Sequence, residues 1–281
     1  MRFAVVTPDP ARWIHVRAFD EVSEAVQQGL LELGHAAVRA HDPVDRCVNI
    51  LFGGHHLHPR AELPAGTVLF NLEQIVRDSP WLSEGYLERL RRHVVWDYSA
   101  RNVEALRSLG VSSAVHVPVG YAKSLERVAP AREEIDVLFY GRFSERRRTL
   151  LDRLARRGWK VVATNLLYGV ERDREIARAR VILNVHAMGE ARLEVARCFY
   201  LLLNGRFVLS EASEDAATSG LADGMAFASY DELEERCAWY LQHPEARGGF
   251  AEAGRRLMRE RPQAELMRPA VQALAEAAAQ R

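Results

Sequence analysis

DVLFYGRFSERRR, residues 136–148, is the stretch that decides the fold, because an apolar run passes directly into a basic, amphipathic one. The run Val137 to Tyr140 is typical of a buried β-strand, and the residues after it favour a helix. Gly141 stands at the join, where a residue without a side chain lets other groups approach the backbone closely. A strand, a glycine and a helix in this order predict one βα unit of a parallel sheet.

The same alternation of strands and helices continues along the chain on both sides of this unit. Strands are predicted at residues 2–7, 36–40, 48–52, 68–71, 94–98, 115–117, 136–140, 160–163, 181–185, 207–210 and 225–228. Helices are predicted at residues 20–33, 100–109, 146–156, 172–179, 193–203 and 231–241, with two more after residue 245, divided near Pro262. The fold class is therefore α/β, with two Rossmann-like domains.

A charged, proline-containing segment divides the chain into these two domains. It predicts a linker at 123–134 between an N-terminal domain, 1–122, and a C-terminal domain, 135–260. We expect a last helix within 261–281 to pack back toward the N-terminal domain. Because parallel sheets bind ligands at the carboxyl ends of their strands, we expect the two domains to face each other across a cleft.

The composition excludes several classes of protein. The chain has 281 residues, of which 48% are hydrophobic and 27% charged, as in ordinary globular domains rather than disordered ones. Thirty-eight basic residues balance thirty-eight acidic ones, which removes the bulk electrostatic argument for binding nucleic acid. With three cysteines, no 18-residue apolar stretch and no recognisable leader, we expect a cytoplasmic protein without a disulfide framework.

The residues that follow the strand at 136–140 favour the binding of an anion. Gly141 permits close approach, the next helix offers free backbone N–H groups, and Arg142 and Arg147 can place guanidinium forks on phosphate oxygens. A solvated helix face is the alternative interpretation. Both arginines are expected in a loop or first turn, so their removal should leave stability nearly unchanged.

Three segments together resemble the GT-B glycosyltransferases of the retaining, group-one type, and most closely a short bacterial branch associated with spore maturation and surface polysaccharides. They are 137–147, 168–186 and 190–211. The resemblance covers most of residues 135–260. It implies transfer of a sugar from a nucleotide-diphosphate donor such as a UDP-sugar to an acceptor glycan, a lipid-linked glycan or another glycoconjugate. It further implies no metal cofactor, and peripheral association with a membrane is an additional expectation.

The resemblance also assigns donor-site residues. Its cations Arg142 and Arg147 would hold the diphosphate, beside Gly141, and Gly169 would lie in the nucleotide-contacting loop. His186 ends an apolar strand and can hydrogen-bond a sugar or phosphate.

One position departs from the family. Five residues before the glycine of the turn after the helix at 193–203, which is Gly205 here, the family commonly has a glutamate that contacts the ribose of the donor. This chain has Tyr200 at that position. We therefore assign Glu194 and Arg197 to the donor site together with Tyr200, and Glu194 is a candidate catalytic residue. A helix ion pair between Glu194 and Arg197 at i, i+3 is the alternative.

In the N-terminal domain, GGHHLH at residues 53–58 is the strongest candidate for a catalytic loop. His55 could remove the acceptor proton, although clustered loop histidines are often only solvated. Glu73 and Asp97 follow two neighbouring strands and are candidate acceptor ligands, with Trp13 as part of the acceptor wall. Both carboxylates could instead cap loops.

Other signatures are absent from the sequence. It has no phosphate-binding Walker loop, no nucleophile elbow and no cysteine or histidine spacing typical of zinc, so no metal site is predicted. Two alternatives to the glycosyltransferase remain open. One is a nonenzymatic, two-lobed module that binds a nucleotide or sugar, and the other is a glycosyltransferase that modifies protein or DNA.

Overall fold

The computed structural model describes residues 1–11, 14–58, 60–76, 79, 81–188 and 192–280. Its strands coincide with the short apolar runs of the sequence, since most strand residues are buried on both faces of a sheet covered by helices. The strands are β1 Arg2–Val6, β2 Ala36–Ala40, β3 Val48–Phe52, β4 Val68–Asn71, β5 Val94–Asp97, β6 Ala114–His116, β7 Ile135–Tyr140, β8 Val161–Thr164, β9 Ala179–Asn184, β10 Val208–Glu211 and β11 Ala226–Ala228.

The helices lie between these strands and at the end of the chain. They are α1 Asp20–Glu32, α2 Glu84–Arg92, α3 Ala100–Ser108, α4 Glu145–Arg156, α5 Gly169–Arg178, α6 Val195–Leu203, α7 Leu233–Gln242, α8 Pro244–Arg259 and α9 Gln263–Ala279. Several begin at a serine whose hydroxyl accepts a backbone N–H of the first turn; Ser144 does so for Arg147 in α4 at 3.3 Å.

The chain divides into two compact units. The first contains Met1–Ser124 and the segment that begins at Arg261, and the second contains Leu125–Glu260. The first unit holds a six-stranded sheet of order β2-β1-β3-β4-β5-β6, and the second a five-stranded sheet of order β11-β10-β9-β7-β8. Every paired strand in both sheets is parallel. The predicted α/β fold with two Rossmann-like units is therefore confirmed.

Each sheet has a point where the strand order reverses. In the first unit the chain leaves β1 toward β2 on one side and returns to β3 on the other. In the second unit the same reversal occurs between β7 and β9. Loops that follow strands on the two sides of such a point diverge and leave room for a ligand, so the loops after β1, β3, β7 and β9 are the places to look for a site.

The last helix belongs to the first unit, where it packs on α1. Gly29 of α1 lies so close to α9 that an added Cβ would be 2.7 Å from the sulfur of Met267. The entry into α9 is fixed by Gln263, whose side chain accepts the N–H of Gly120 at 2.7 Å and whose own N–H donates to Tyr121 at 2.8 Å. These bonds attach the C-terminal segment to the end of the first sheet.

A few elements differ from the sequence prediction. Strand β9 ends at Asn184, so His186 lies in the following loop rather than at the strand end. The helix predicted at 231–241 begins as a 3-10 turn at Tyr230–Glu232, because Ser229 and Glu232 form a capping box ahead of α7. Helix α2 was not singled out from the sequence. Among the described residues, no helix is both long and apolar enough to span a membrane.

Gly120→Ala should destabilise the first unit by about 1–3 kcal/mol, because the new Cβ would stand 2.5 Å from the carbonyl oxygen of Arg261. Urea unfolding measures the loss. Gly248→Ala is the matched control: it lies exposed in α8 with nothing within 4 Å of an added Cβ, so it should be neutral or slightly stabilising. Equal stability of the two variants would contradict this account of the attachment.

Candidate functional site

Arg147 is the central side chain of the switch point in the second unit. It lies in the first turn of α4 and its side chain is only 3% exposed. Its Nε donates to the carbonyl of Val185 after β9, and its Nη1 to the carbonyl of Arg142 after β7, each at 2.7 Å. Its Nη2 is paired with the carboxylate of Glu194. One guanidinium therefore joins two strand-end loops to the N-terminus of α6.

Glu194 holds a second guanidinium as well. Its other carboxylate oxygen lies 2.7 Å from Nη2 of Arg197, and Nη1 of Arg197 donates to the side-chain oxygen of Asn184 at 2.9 Å. Asn184 in turn donates to the hydroxyl of Ser210 in β10 at 3.0 Å. The predicted residues Arg147, Glu194 and Arg197 are thus brought together in one cluster across three neighbouring strands.

Gly141 is required by this cluster. Its φ is +136°, a conformation that favours glycine, and the guanidinium of Arg197 lies directly where a Cβ would be. Beneath the cluster, the ring of Phe139 faces the guanidinium carbons of Arg147 and Arg197 at 5.2 and 5.5 Å. The absence of a side chain at Gly141 therefore makes room for the guanidinium of Arg197, a residue of the same chain.

A second ion pair lies beside the first. Arg146 pairs with Glu211 at the end of β10, and its guanidinium stacks 3.7 Å from the ring centre of Tyr230. Glu211 also accepts the backbone N–H of His186 at 3.0 Å. The imidazole of His186 is buried, and among the described residues neither of its ring nitrogens has a hydrogen-bond partner of normal geometry. A buried imidazole in the loop after β9, with ring nitrogens in this state, is a group that a ligand could bond.

The electrostatics of the cluster keep Glu194 ionised. Burial would raise the pKa of its carboxyl, but the cations of Arg197 and Arg147 outweigh burial and hold the pKa below its ordinary value. Burial lowers the pKa of His186, against the opposing effect of Glu211 and Glu194, so its imidazole is neutral at pH 7. Near neutral pH the cluster therefore contains two guanidiniums, one carboxylate and one uncharged imidazole.

The other predicted donor residues lie outside the cluster. The side chain of Arg142 is exposed and makes no hydrogen bond or ion pair with the described residues. Gly169 opens α5 with a φ of +58°. Tyr200 is buried elsewhere, where its hydroxyl accepts a bond from Arg127 at 3.2 Å and its ring lies 4.3 Å from the guanidinium of Arg172. Tyr200 is therefore not positioned with Arg147 and Glu194.

In the first unit, His55 lies in the loop after β3, beside its switch point. Its side chain is 4% exposed, with Nε2 3.4 Å from a carboxylate oxygen of Glu73. The rings of His56, Trp81 and Tyr86 lie around it, with centroid distances of 3.7, 5.3 and 5.7 Å. Burial, with a contribution from His56, lowers the pKa of His55 to about 3. A neutral imidazole with so low a pKa is a weak base, better suited to hydrogen bonding than to removing a proton.

The remaining acceptor candidates have different surroundings. Glu73 remains 21% exposed beside His55. Asp97 is fully buried, and its carboxylate accepts bonds from the side chain of Asn71 at 2.6 Å, the backbone of Ser99 at 2.8 Å and Asn102 at 3.1 Å. It therefore organises the loops after β4 and β5 and is not presented to a ligand. Trp13 lies outside the described residues.

Searches of known structures find the same architecture over nearly the whole chain. Sucrose-phosphate synthase from Thermosynechococcus elongatus matches with a TM-score of 0.61 and 13% identity over 99% of this chain and 100% of that one. HepE from Anabaena, in complex with UDP and glucose, matches with a TM-score of 0.58 and 11% identity over 98% and 100%. AviGT4, a glycosyltransferase involved in avilamycin A biosynthesis, matches with a TM-score of 0.53 and 16% identity over 98% and 97%.

The fold is that of the GT-B glycosyltransferases. No protein-family model matches the chain. The curated relatives include the uncharacterized proteins L137 and L140 of Acanthamoeba polyphaga mimivirus, each 26% identical, over 53% and 63% of this chain. The matches span 22% and 59% of those proteins, so the chain covers less than two thirds of the length of either relative.

The sequence did not point to Arg146 and Glu211, which form the second ion pair at the strand ends of the second unit. Arg146 begins the predicted helix after β7 and Glu211 directly follows the predicted strand at 207–210, so a basic and an acidic residue beside neighbouring strand ends were the available signal. Among the described residues, no group of three or more His, Cys, Asp or Glu side chains is arranged to hold a metal ion.

The expectation that Arg142 and Arg147 are equally dispensable for stability is wrong for Arg147, because that side chain is buried and paired. Arg147→Ala leaves Glu194 without one cation and two carbonyls without donors, and should cost about 3–5 kcal/mol. Arg142→Ala, at an exposed position, should change stability by less than ~0.5 kcal/mol. Urea unfolding of both variants checks the difference, and comparable losses would contradict the burial of Arg147.

Stability should fall in mild acid because of His55. Its pKa is lowered on folding, so the unfolded chain takes up its proton first and stability is lost as the pH falls below about 6.5. Between pH 6.5 and 5, His55→Gln should lose ~2 kcal/mol less than the wild type. His58→Gln, an exposed histidine of the same loop, is the matched control. An unchanged pH dependence in His55→Gln would show that the imidazole is not buried.

Proposed function

We propose that the protein is a glycosyltransferase that moves a sugar from a nucleotide-diphosphate donor to an acceptor. The observation that carries this proposal is the cluster of Arg147, Arg197 and Glu194 at the switch point of the second sheet, with Arg142 exposed beside it. Guanidiniums at the carboxyl ends of parallel strands suit a diphosphate. The GT-B architecture, shared over 97–100% of three known structures, supports the same function.

The chemistry required of the site is electrostatic. The bond between the anomeric carbon and the diphosphate breaks, and the nucleoside diphosphate leaves with the electron pair. The acceptor oxygen bonds to that carbon, and its proton passes to a phosphate oxygen of the leaving group. Negative charge therefore grows on the phosphate oxygens in the transition state. Fixed guanidiniums, such as that of Arg147, stabilise this charge without reorganising during the reaction.

We further propose a UDP-sugar donor, retention of the anomeric configuration and no requirement for a metal ion. HepE was solved with UDP and glucose, which supports the choice of base. The resemblance of 137–147, 168–186 and 190–211 to retaining enzymes supports the stereochemistry. Three arginines at one sheet edge can supply the positive charge that a divalent ion would otherwise provide.

The acceptor would bind to the first unit, at the loops after β3 and β4. His55 and Glu73 offer a neutral imidazole and a carboxylate to acceptor hydroxyls, and Trp81 offers an aromatic face. We propose that His55 orients the acceptor hydroxyl, because its lowered pKa makes it a poor general base. We propose that the acceptor is a glycan, a lipid-linked glycan or another glycoconjugate. We propose that the reaction contributes to surface polysaccharide in a bacterium, in the cytoplasm or at the membrane surface.

Calorimetric titration with UDP, GDP, ADP, CMP and dTDP, each with and without EDTA, tests the donor site. We expect one nucleoside diphosphate to bind, with the same affinity in EDTA. Incubation of the matching nucleotide sugar with glycan acceptors, followed by NMR of the anomeric proton of the glycoside formed, then tests transfer and stereochemistry. Binding without turnover toward any glycan acceptor would favour the nonenzymatic module, and no binding by the folded protein would contradict the proposed donor.

Arg142→Ala should weaken binding of that nucleoside diphosphate about tenfold, since a charge-assisted bond contributes ~1.5 kcal/mol. Its melting temperature should remain that of the wild type, because Arg142 is exposed. Arg156→Ala removes an exposed arginine from the opposite end of α4 and is the matched control. Equal affinities in the two variants would remove Arg142 from the site.

A further inference from the structure

Glu194 occupies the position of an anionic ligand within the arginine cluster. Its carboxylate bridges two guanidiniums, with Oε1 on Nη2 of Arg147 and Oε2 2.7 Å from Nη2 of Arg197. Planar guanidiniums hold phosphate oxygens in the same manner as carboxylate oxygens, through the same N–H groups. The bridge therefore has the chemistry of a bound phosphate group.

The other contacts of both guanidiniums are with the protein itself. Arg147 donates through Nε and Nη1 to the carbonyls of Val185 and Arg142, and Arg197 donates through Nη1 to Asn184. Glu194 holds the Nη2 group of each arginine, whereas Nε of Arg197 is buried without a hydrogen-bond partner among the described residues. A diphosphate that bound both Nη2 groups would have to displace the carboxylate.

Exposure indicates where that displacement would occur. The side chains of Arg147 and Arg197 are 3% and 10% exposed, whereas that of Glu194 is 23% exposed. Glu194 is therefore the most accessible member of the bridge, and a ligand approaching the guanidiniums meets it first. Without its carboxylate, the bridge would carry two positive charges instead of one.

We infer that Glu194 competes with the donor diphosphate for Arg147 and Arg197, and so limits the affinity for anionic ligands. This inference rests on the proposed function for the identity of the ligand. It differs from a role in which Glu194 contacts a sugar of the donor, because loss of such a contact would not change the affinity for inorganic pyrophosphate. The two roles therefore predict different affinities for pyrophosphate, which contains no sugar.

Titration of wild type, Glu194→Gln and Glu234→Gln with UDP and with inorganic pyrophosphate tests the inference. Glu194→Gln keeps the shape of the side chain and removes its charge, so we expect both ligands to bind about tenfold more tightly. Glu234 is the matched control. It bridges Arg153 and Arg157 at 2.7 and 2.8 Å, on the α4 and α7 side of the sheet, and its variant should bind both ligands like the wild type.

A second variant guards against loss of folding, since Glu194→Gln leaves two buried cations without a counter-charge. Glu194→Asp keeps the charge but is one methylene shorter, so it should hold only one guanidinium and tighten pyrophosphate binding about threefold. Unchanged or weaker pyrophosphate binding in a folded Glu194 variant would overturn the inference. If pyrophosphate binding tightens while UDP does not bind to any variant, the competition stands and the proposed nucleotide donor fails.

Discussion

The burial of Arg147 is the constraint on which the ligand edge of the second unit depends. A guanidinium that is almost fully removed from water needs hydrogen-bond partners, and here they come from the loops after β7 and β9 and from the start of α6. The positive φ of Gly141, the position of Glu194 and the contact of Arg197 follow from this arrangement. The same cluster is the structural base for our proposed donor site.

The first unit meets a similar demand with a buried carboxylate. Asp97 accepts bonds from Asn71, Ser99 and Asn102, and Asn71 also accepts the hydroxyl of Tyr86. This network fixes the loops after β4 and β5, and Glu73 lies within the first of them. Through Glu73 and Tyr86 it also frames His55. In both units, buried polar groups at the strand ends hold the following loops in fixed positions, as a binding site requires.

The strands and the fold class could be predicted because apolar runs alternate with amphipathic ones along the whole chain. Gly141, Arg142 and Arg147 could be singled out as candidate anion ligands because they lie between the end of β7 and the first turn of the next helix. Their environments could not, since the partner of Arg147 is Glu194, 47 residues away, and pairing across strands leaves no local pattern. The role of Asp97 could not be predicted for the same reason. A carboxylate in a loop has the same sequence pattern whether its side chain faces solvent or caps its own loop.

The central claim is that the strand-end arginine cluster of the second unit is a nucleoside-diphosphate site. A crystal structure of the protein with UDP tests it most directly. The account predicts diphosphate oxygens within hydrogen-bond distance of Arg142 and of at least one guanidinium that Glu194 holds here, Arg147 or Arg197. UDP bound elsewhere, with the Arg147–Glu194–Arg197 bridge intact and no phosphate on Arg142, would contradict the account.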